Sequence, residues 1–334
     1  MDQLPFRGLA DAKHGVPRVL GNAAASLWDI GEGIACFEIH TKLNSFAPAV
    51  FDALQPALEK AQSGFRGLVI GNDHERAFSV GADLFAFLGM VEASDWAGLD
   101  AYIGRGQDLF LKIKYASVPV VAAAHGLALG GGCEFMLNCN AVVAHTGLVA
   151  GLPETRVGIV PGWGGTTQLL LRALARMQPL AAAQSVFDMV YAGELSTSAV
   201  EARQMGLLEA GDDIVASRAD LLFFARARAI AMADAGYQAP PPAKLHLGGP
   251  AAKAAIMHGV LAKARSGLLS EVDVAVAEAL AGVLTGGAGG DPAAPMLEAD
   301  VMRLERQAGI ELSKRPATIE RIEHMLKTGK ALRN

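Results

Sequence analysis

Gly126-Leu-Ala-Leu-Gly-Gly-Gly-Cys-Glu-Phe-Met-Leu-Asn-Cys139 joins an apolar run to an amphipathic one through three consecutive glycines, and it sets an acid, Glu134, just past the bend. Upstream, Val118-Pro-Val-Val-Ala-Ala-Ala124 is apolar without alternation, the pattern of a strand buried on both faces. Downstream, the residues from Glu134 to Cys139 read as the first turns of a helix. A glycine-rich turn entering a helix lets a ligand come close to the backbone and aims N–H groups at it. That arrangement suits negative charge developing on oxygen. An acid beside it points to proton transfer next to a polarised carbonyl.

A second turn of the same kind lies upstream. In Ala77-Phe-Ser-Val-Gly-Ala-Asp-Leu84, Gly81 permits a tight turn and Asp83 suits a helix N-terminus. Ala82 leaves its N–H sterically open and is a second candidate amide donor. On the other side, Ala141-Val-Val-Ala-His145 reads as a strand that leads into a long loop, Gly151-Leu-Pro-Glu-Thr-Arg-Val-Gly-Ile-Val-Pro-Gly-Trp-Gly-Gly-Thr-Thr167, whose one acid is Glu154.

The flanking patterns are those of a layered α/β protein. Residues 26–40 alternate around a glycine-containing turn and read as a β-hairpin. Residues 44–62 carry Phe46, Val50, Leu54 and Leu58 at helical spacing, with Ser45 as the candidate N-cap. Residues 67–71 form a short buried strand, and residues 102–114 and 166–176 read as helices. From Pro179 onward helical patterns dominate, broken at Gln238-Ala-Pro-Pro-Pro-Ala-Lys244 and at residues 286–295. The closing stretch, 303–329, is charged and amphipathic, with Ile319, Ile322, Met325 and Leu326 on one face. The expected division is an arm of low order over 1–25, an α/β core with the active site over 26–215, and a helical region with an extended tail over 216–334.

Composition narrows the function classes. A chain of 334 residues allows roughly two domains at about 150 residues each. Hydrophobic residues at 51% and charged ones at 19% fit a compact soluble protein. The net charge of −5 and pI near 5.9 argue against a nucleic-acid-binding surface. Cys36, Cys133 and Cys139 are too few for a disulfide framework or a zinc site, so a cytoplasmic compartment is expected. The start lacks the charged-then-apolar order of a signal peptide, and no apolar run is long enough to cross a membrane.

With both glycine turns and both acids in view, the chain resembles the enoyl-CoA hydratase (crotonase) family. The matching residues are Phe78-Ser-Val-Gly-Ala-Asp-Leu84, His125-Gly-Leu-Ala-Leu-Gly-Gly-Gly-Cys-Glu134 and Leu152-Pro-Glu-Thr-Arg-Val-Gly-Ile-Val-Pro-Gly-Trp-Gly-Gly-Thr166. They stand in the family's order within a resemblance that runs from Trp28 to Leu208. It implies an α/β fold made of a spiral of ββα units, with a C-terminal helical domain used to form homo-trimers or hexamers. The tail, including Ile319-Glu-Arg-Ile-Glu-His-Met-Leu-Lys-Thr-Gly-Lys330, resembles bacterial polypeptides that fuse a hydratase to a 3-hydroxyacyl-CoA dehydrogenase. A dehydrogenase module is therefore a candidate partner. No such module is visible here: the nearest glycine pattern, Gly162-Trp-Gly-Gly-Thr-Thr167, has Thr167 where a dinucleotide fingerprint wants Gly or Ala.

The resemblance places the two amide donors at Ala82 and Gly131 and makes Glu134 the activating base and Glu154 the acid. Adding water across a double bond conjugated to a thioester needs one carboxylate to take a proton from water and another to supply one to the α-carbon. Lys42, Leu43, Ala82, Asp83 and Leu84 fall where the family holds the CoA moiety, although for Lys42 plain surface solvation is the competing reading. Cys133 reads as a packing residue, and His125 and His145 as structural histidines. Trp163 either shapes the acyl pocket or packs. The expected activity is enoyl-CoA hydration on an acyl-CoA thioester, with no metal and no cofactor apart from the CoA of the substrate. The alternatives are a double-bond isomerase and a non-catalytic acyl-CoA-binding subunit.

Overall fold

In the computed structural model, which describes residues 6–334, the apolar runs become strands in the expected places. The first ten in chain order are β1 (Arg18–Gly21), β2 (Ala25–Asp29), β3 (Ile34–Ile39), β4 (Gly67–Ile70), β5 (Ala77–Ser79), β6 (Val120–Ala124), β7 (Leu127–Leu129), β8 (Ala141–His145), β9 (Val149–Gly151) and β10 (Asp213–Val215). The chain divides into two units that do not follow chain order. The first takes residues up to 82, 108–150 and 196–241; the second takes 83–107, 151–195 and 242–334. The boundary expected near residue 215 falls inside the third stretch of the first unit.

The first unit is built on a seven-stranded sheet in the order β1-β2-β3-β4-β6-β8-β10. The hairpin read over 26–40 is present as the antiparallel pair β2 and β3, and from β3 to β10 every neighbour is parallel. Ile34, Cys36, Val69, Val121, Ala123 and Val143 pack against Leu221, Leu222, Ala225 and Ala229 of the helix Leu221–Asp234. The alternate residues Ala35, Phe37, Leu68, Ile70, Val120 and Ala122 are also buried. Both faces are covered, which is why these strands lack polar alternation.

Two expectations are corrected in this unit. The helix read from residue 44 begins at Pro48 and is N-capped by Ala47, not Ser45. Proline, with its fixed φ and no N–H, suits a first helical position and sets the start. The arm expected to have low order is folded from residue 6: Phe6 and Leu9 enter the core, and β1 pairs with β2. The Asp73 carboxylate accepts from Leu9 N at 2.8 Å and so holds the short helix Gly8–Ala12. The remainder of the expected arm, residues 1–5, lies outside the described residues.

A smaller sheet in the order β5-β7-β9 carries both glycine turns, with β5 and β7 parallel. Beneath it sits a cluster of phenylalanines. Phe135, next to Glu134, lies 5.0 Å from both Phe46 and Phe110 and 6.3 Å from Phe78 between ring centroids. Offset and edge-on aromatic pairs each contribute about 1 kcal/mol beyond area burial, so this cluster seats the Gly131–Leu137 helix firmly.

The second unit is mostly helical. Its helices include Leu84–Glu92, Gly165–Leu174, Pro179–Ala192, Gly249–Arg265, Glu271–Leu284, Glu298–Ser313 and Pro316–Thr328. The last of these packs against Leu84–Glu92 and against the 3-10 turn Glu154–Val157. Its buried residues are Thr318, Arg321 and Ile322. No helix of the described residues is long and apolar enough to cross a membrane.

Candidate active site

The two glycine turns meet in the first unit. Gly81 has φ of +86°, and a Cβ built on it would lie 2.5 Å from Gly131 N and 2.9 Å from Leu129 O. A Cβ on Gly132 would lie 2.1 Å from Ser79 O. Backbone therefore rests directly on backbone, and only glycine fits on either side. Gly130 turns the chain at φ 53° and ψ −128°, and Gly131 is the first residue of the helix, so its N–H has no intrahelical acceptor. Ala82 follows Gly81 immediately and forms an isolated parallel bridge with Phe46. Glu134, one helical turn beyond Gly131, is 2% exposed.

The segment around Lys42 and Leu43 is stitched to the same place. Leu43 and Asn44 both adopt left-handed backbone, at φ 53° and 55°. Such conformations cost on the order of 1–3 kcal/mol for a residue like leucine and persist only where the surroundings impose them. Here Asn44 Nδ2 donates to Ala77 O at 2.9 Å, Ser79 Oγ donates to Asn44 O at 2.7 Å, Val80 N donates to Leu43 O at 3.2 Å and Phe46 N donates to Gly81 O at 2.8 Å. Lys42 is exposed and Leu43 half-buried. Of the residues expected at the site, this unit thus gathers Lys42, Leu43, Ala82, Gly131 and Glu134.

Asp83, Leu84 and Glu154 belong to the second unit. Asp83 is the N-cap foreseen: its Oδ1 accepts from Phe85 N at 3.0 Å and Ala86 N at 3.3 Å, and Leu84 is the first helical residue. Glu154 opens the 3-10 turn Glu154–Val157, which ends on Gly158 in the left-handed region. The turn is held from several sides. Thr155 Oγ1 donates to Val190 O at 3.2 Å, Arg156 donates to Gly193 O at 2.7 Å and Thr318 Oγ1 donates to Gly158 O at 3.3 Å.

Trp163 packs rather than lines open space. It is 3% exposed and meets the Tyr102 ring edge-on at 5.5 Å, and a Cβ on Gly106 would lie 2.4 Å from its indole nitrogen. The adjacent glycine run does not offer a phosphate cradle. The N-terminus of helix Gly165–Leu174 is taken by the buried carboxylate of Glu305, which accepts from Gly164 N at 2.8 Å and Thr167 N at 2.6 Å. Cys133 is fully buried. His145 Nδ1 accepts from Gly147 N at 3.1 Å.

His125 is 1% exposed, and its Nε2 lies 2.7 Å from an Arg218 nitrogen and 3.2 Å from Asn72 Oδ1. Burial, reinforced by the Arg218 charge, pushes its pKa from 6.5 down to about 3, so the ring is neutral. Asn72 and Arg218 did not stand out in the sequence.

Comparison with known proteins gives the family and the fold. The sequence profile described as Enoyl-CoA hydratase/isomerase matches residues 29–256. The chain belongs to the enoyl-CoA hydratase/isomerase family. Among its relatives is a Bacillus subtilis protein named Probable 3-hydroxyacyl-CoA dehydrogenase, 35% identical over 315 residues, which cover 94% of this chain and 40% of that protein. The chain thus spans less than half the length of that relative. Two solved structures share the fold. A carnitinyl-CoA dehydratase from Mycobacterium thermoresistibile aligns with a TM-score of 0.67 at 17% identity, covering 92% of this chain and 91% of that one. An enoyl-CoA hydratase from Bacillus halodurans aligns with a TM-score of 0.62 at 17% identity, covering 90% and 99%. Those likenesses establish the crotonase architecture expected from the motifs.

Proposed function

We propose that this chain is a 2-enoyl-CoA hydratase, adding water across the conjugated double bond of a trans-2-enoyl-CoA. The observation that carries the reading is the close approach of the Gly81 and Gly131 backbones, with a buried acid, Glu134, one helical turn beyond Gly131. Ala82 N–H and Gly131 N–H donate to the thioester oxygen as it gains negative charge. Removing one such donor typically costs about 3 kcal/mol of barrier. Glu134 takes a proton from water as its oxygen bonds to the β-carbon, and Glu154 supplies a proton to the α-carbon. Lys42, Leu43, Ala82, Asp83 and Leu84 hold the CoA moiety.

The proposed chemistry needs no metal and no nicotinamide; in the Gly162-Trp-Gly-Gly-Thr-Thr167 stretch the amides of Gly164 and Thr167 already donate to Glu305. The product, a 3-hydroxyacyl-CoA, is what a 3-hydroxyacyl-CoA dehydrogenase oxidises, and the name of the Bacillus subtilis relative supports such a module as a working partner in cytoplasmic acyl-CoA breakdown. Assembly as a homo-trimer or hexamer belongs to the same reading.

The acids give the test. Glu134→Gln and Glu154→Gln keep size and hydrogen-bonding capacity but remove proton transfer, for which a loss of about 10²–10⁴-fold is typical. Each variant is expected to lose turnover of crotonyl-CoA by that order while binding a saturated acyl-CoA as the parent does. Parent-like hydration in both would end the two-acid mechanism. Movement of the double bond of a 3-enoyl-CoA, without hydration, would make the chain an isomerase. Binding without turnover would make it an acyl-CoA carrier.

A further inference from the structure

Both strands that lead to the proposed amide donors leave from one polar cluster, in which Asn72 and His125 are buried and Arg218 is half-buried. Asn72 follows β4, His125 lies between β6 and β7, and Arg218 sits in the 3-10 turn Arg218–Asp220. Arg218 Nη2 donates to Asn72 O at 2.7 Å and to His125 Nε2 at 2.7 Å, which the two hydrogens on that nitrogen allow. His125 Nε2 is then the acceptor, and its proton resides on Nδ1. Asn72 Oδ1 takes its hydrogen bond from His74 N at 3.0 Å, and Asn72 Nδ2 donates to Phe78 O at 3.1 Å. Phe78 N donates to His125 O at 3.0 Å. Phe78, in the middle of β5, is thus gripped at both its N–H and its C=O. Ala82 lies four residues on.

The other strand is fixed at the same point. Gly126 has φ of +52°, and a Cβ there would lie 2.3 Å from Arg76 O, while Leu127 N donates to that oxygen at 3.0 Å. Gly131 lies five residues further on. The β5–β7 pair is only three residues long on each side, and its register shifts between Ala77 and Ser79. So short and irregular a ladder specifies its own register weakly. Burying polar side chains costs free energy unless they are hydrogen-bonded, so the bonds that Asn72 and Arg218 make here favour one arrangement of the strands.

We propose that Arg218, acting through His125 and Asn72, is a positioning residue for the amide pair at Ala82 and Gly131. The inference rests on the oxyanion role given to that pair above. The cluster sets the register of β5 against β7, and the register sets the spacing of the two donors. Around the imidazole stand Arg218, His74 and His145, all of which disfavour its protonation, and Asp73 faces Arg218. Removing the guanidinium frees His125 to protonate at higher pH and releases the Asn72 carbonyl.

The test reads carbonyl polarisation directly. A saturated acyl-CoA carrying carbon-13 at the thioester is bound to the full chain, and the carbonyl stretch is measured by isotope-edited infrared spectroscopy. The parent is expected to shift the stretch to lower frequency than in water, Arg218→Met to lose most of that shift, and Arg218→Lys, which keeps the charge without the fork, to fall between. Turnover of crotonyl-CoA should fall in Arg218→Met by about tenfold or more, since small misplacements of a positioned group cost up to about a hundredfold. Affinity for the saturated ligand should stay within about threefold, because ground-state binding draws on many contacts outside the pair. Should Arg218→Met not fold by circular dichroism, Arg218→Lys against the parent decides the matter. A parent-like carbonyl shift in the folded variants, or no shift in the parent itself, overturns the proposal. A parent that shifts the carbonyl without hydrating would overturn the hydratase reading and leave Arg218's role standing.

Discussion

Gly81 has no room for even a methyl group. Gly81→Ala would force an L side chain into a left-handed conformation and place its Cβ against Gly131 N. The expected cost is roughly 2 kcal/mol of stability, read by urea unfolding, and a fall in hydration of at least about 10²-fold, as when an oxyanion donor is lost. Parent-like activity in the folded variant would show that the two turns are not the catalytic contact. At the same scale, His125 makes the protein acid-sensitive. Its pKa is about 3 in the fold and 6.5 as an ordinary histidine, so below pH 6.5 the unfolded chain binds a proton that the native one refuses. Stability should therefore fall from about pH 6.5 towards pH 3, by up to about 1.4 kcal/mol per pH unit from this group alone. Comparing urea midpoints of the parent and His125→Gln across that range isolates the contribution. Identical pH slopes would contradict a buried neutral imidazole. Gly81, Gly131 and Glu134 were legible because glycine turns and an acid beside them are local patterns. Arg218 was not, since the network joins residues 93 and 146 positions apart.

Among the elements, the turn that carries Glu154 depends on the C-terminal helix Pro316–Thr328. Thr318 reaches Gly158 O, and a Cβ on Gly158 would lie 3.3 Å from Arg321 Cδ. The Arg321 guanidinium, 3% exposed, pairs with Asp273 at 2.9 Å and donates to Ser270 Oγ at 3.1 Å, tying this helix to the capping box of Glu271–Leu284. Breaking a buried pair by removing one partner costs about 3–5 kcal/mol. Because Asp273 keeps partial exposure, Arg321→Met is expected at the lower end, about 3 kcal/mol, with a reduced maximal rate in the fraction that stays folded. Urea unfolding beside single-turnover rates checks both. A loss below about 0.5 kcal/mol would show the pair to be incidental. Of the face read from Ile319, Ile322, Met325 and Leu326, only Ile322 is fully buried, beside Thr318 and Arg321. The neighbours of this helix were not legible, because periodicity gives a helix a buried side without naming what covers it. The start of Pro48–Gly64 was misread for a related reason: Ser45 is a good cap by type, yet Pro48 decides where the helix begins.

For the molecule as a whole, the α/β architecture was visible in unbroken apolar strands and glycine turns, whereas the interleaving of two units was not. Chain order suggested a core followed by a helical tail, but residues 83–107 and 151–195 group with the tail. Contacts between distant stretches decide that grouping, and no local propensity encodes them. In the proposed reaction, water from solvent becomes the hydroxyl of the product without help from a metal. Its most direct test is to incubate the purified chain with crotonyl-CoA in heavy-oxygen water containing a chelator, and to follow the conjugated absorbance and the mass of the product. The expected result is loss of the absorbance and a 3-hydroxyacyl-CoA carrying oxygen from the solvent. Unchanged crotonyl-CoA, or a double-bond isomer without solvent oxygen, would contradict it.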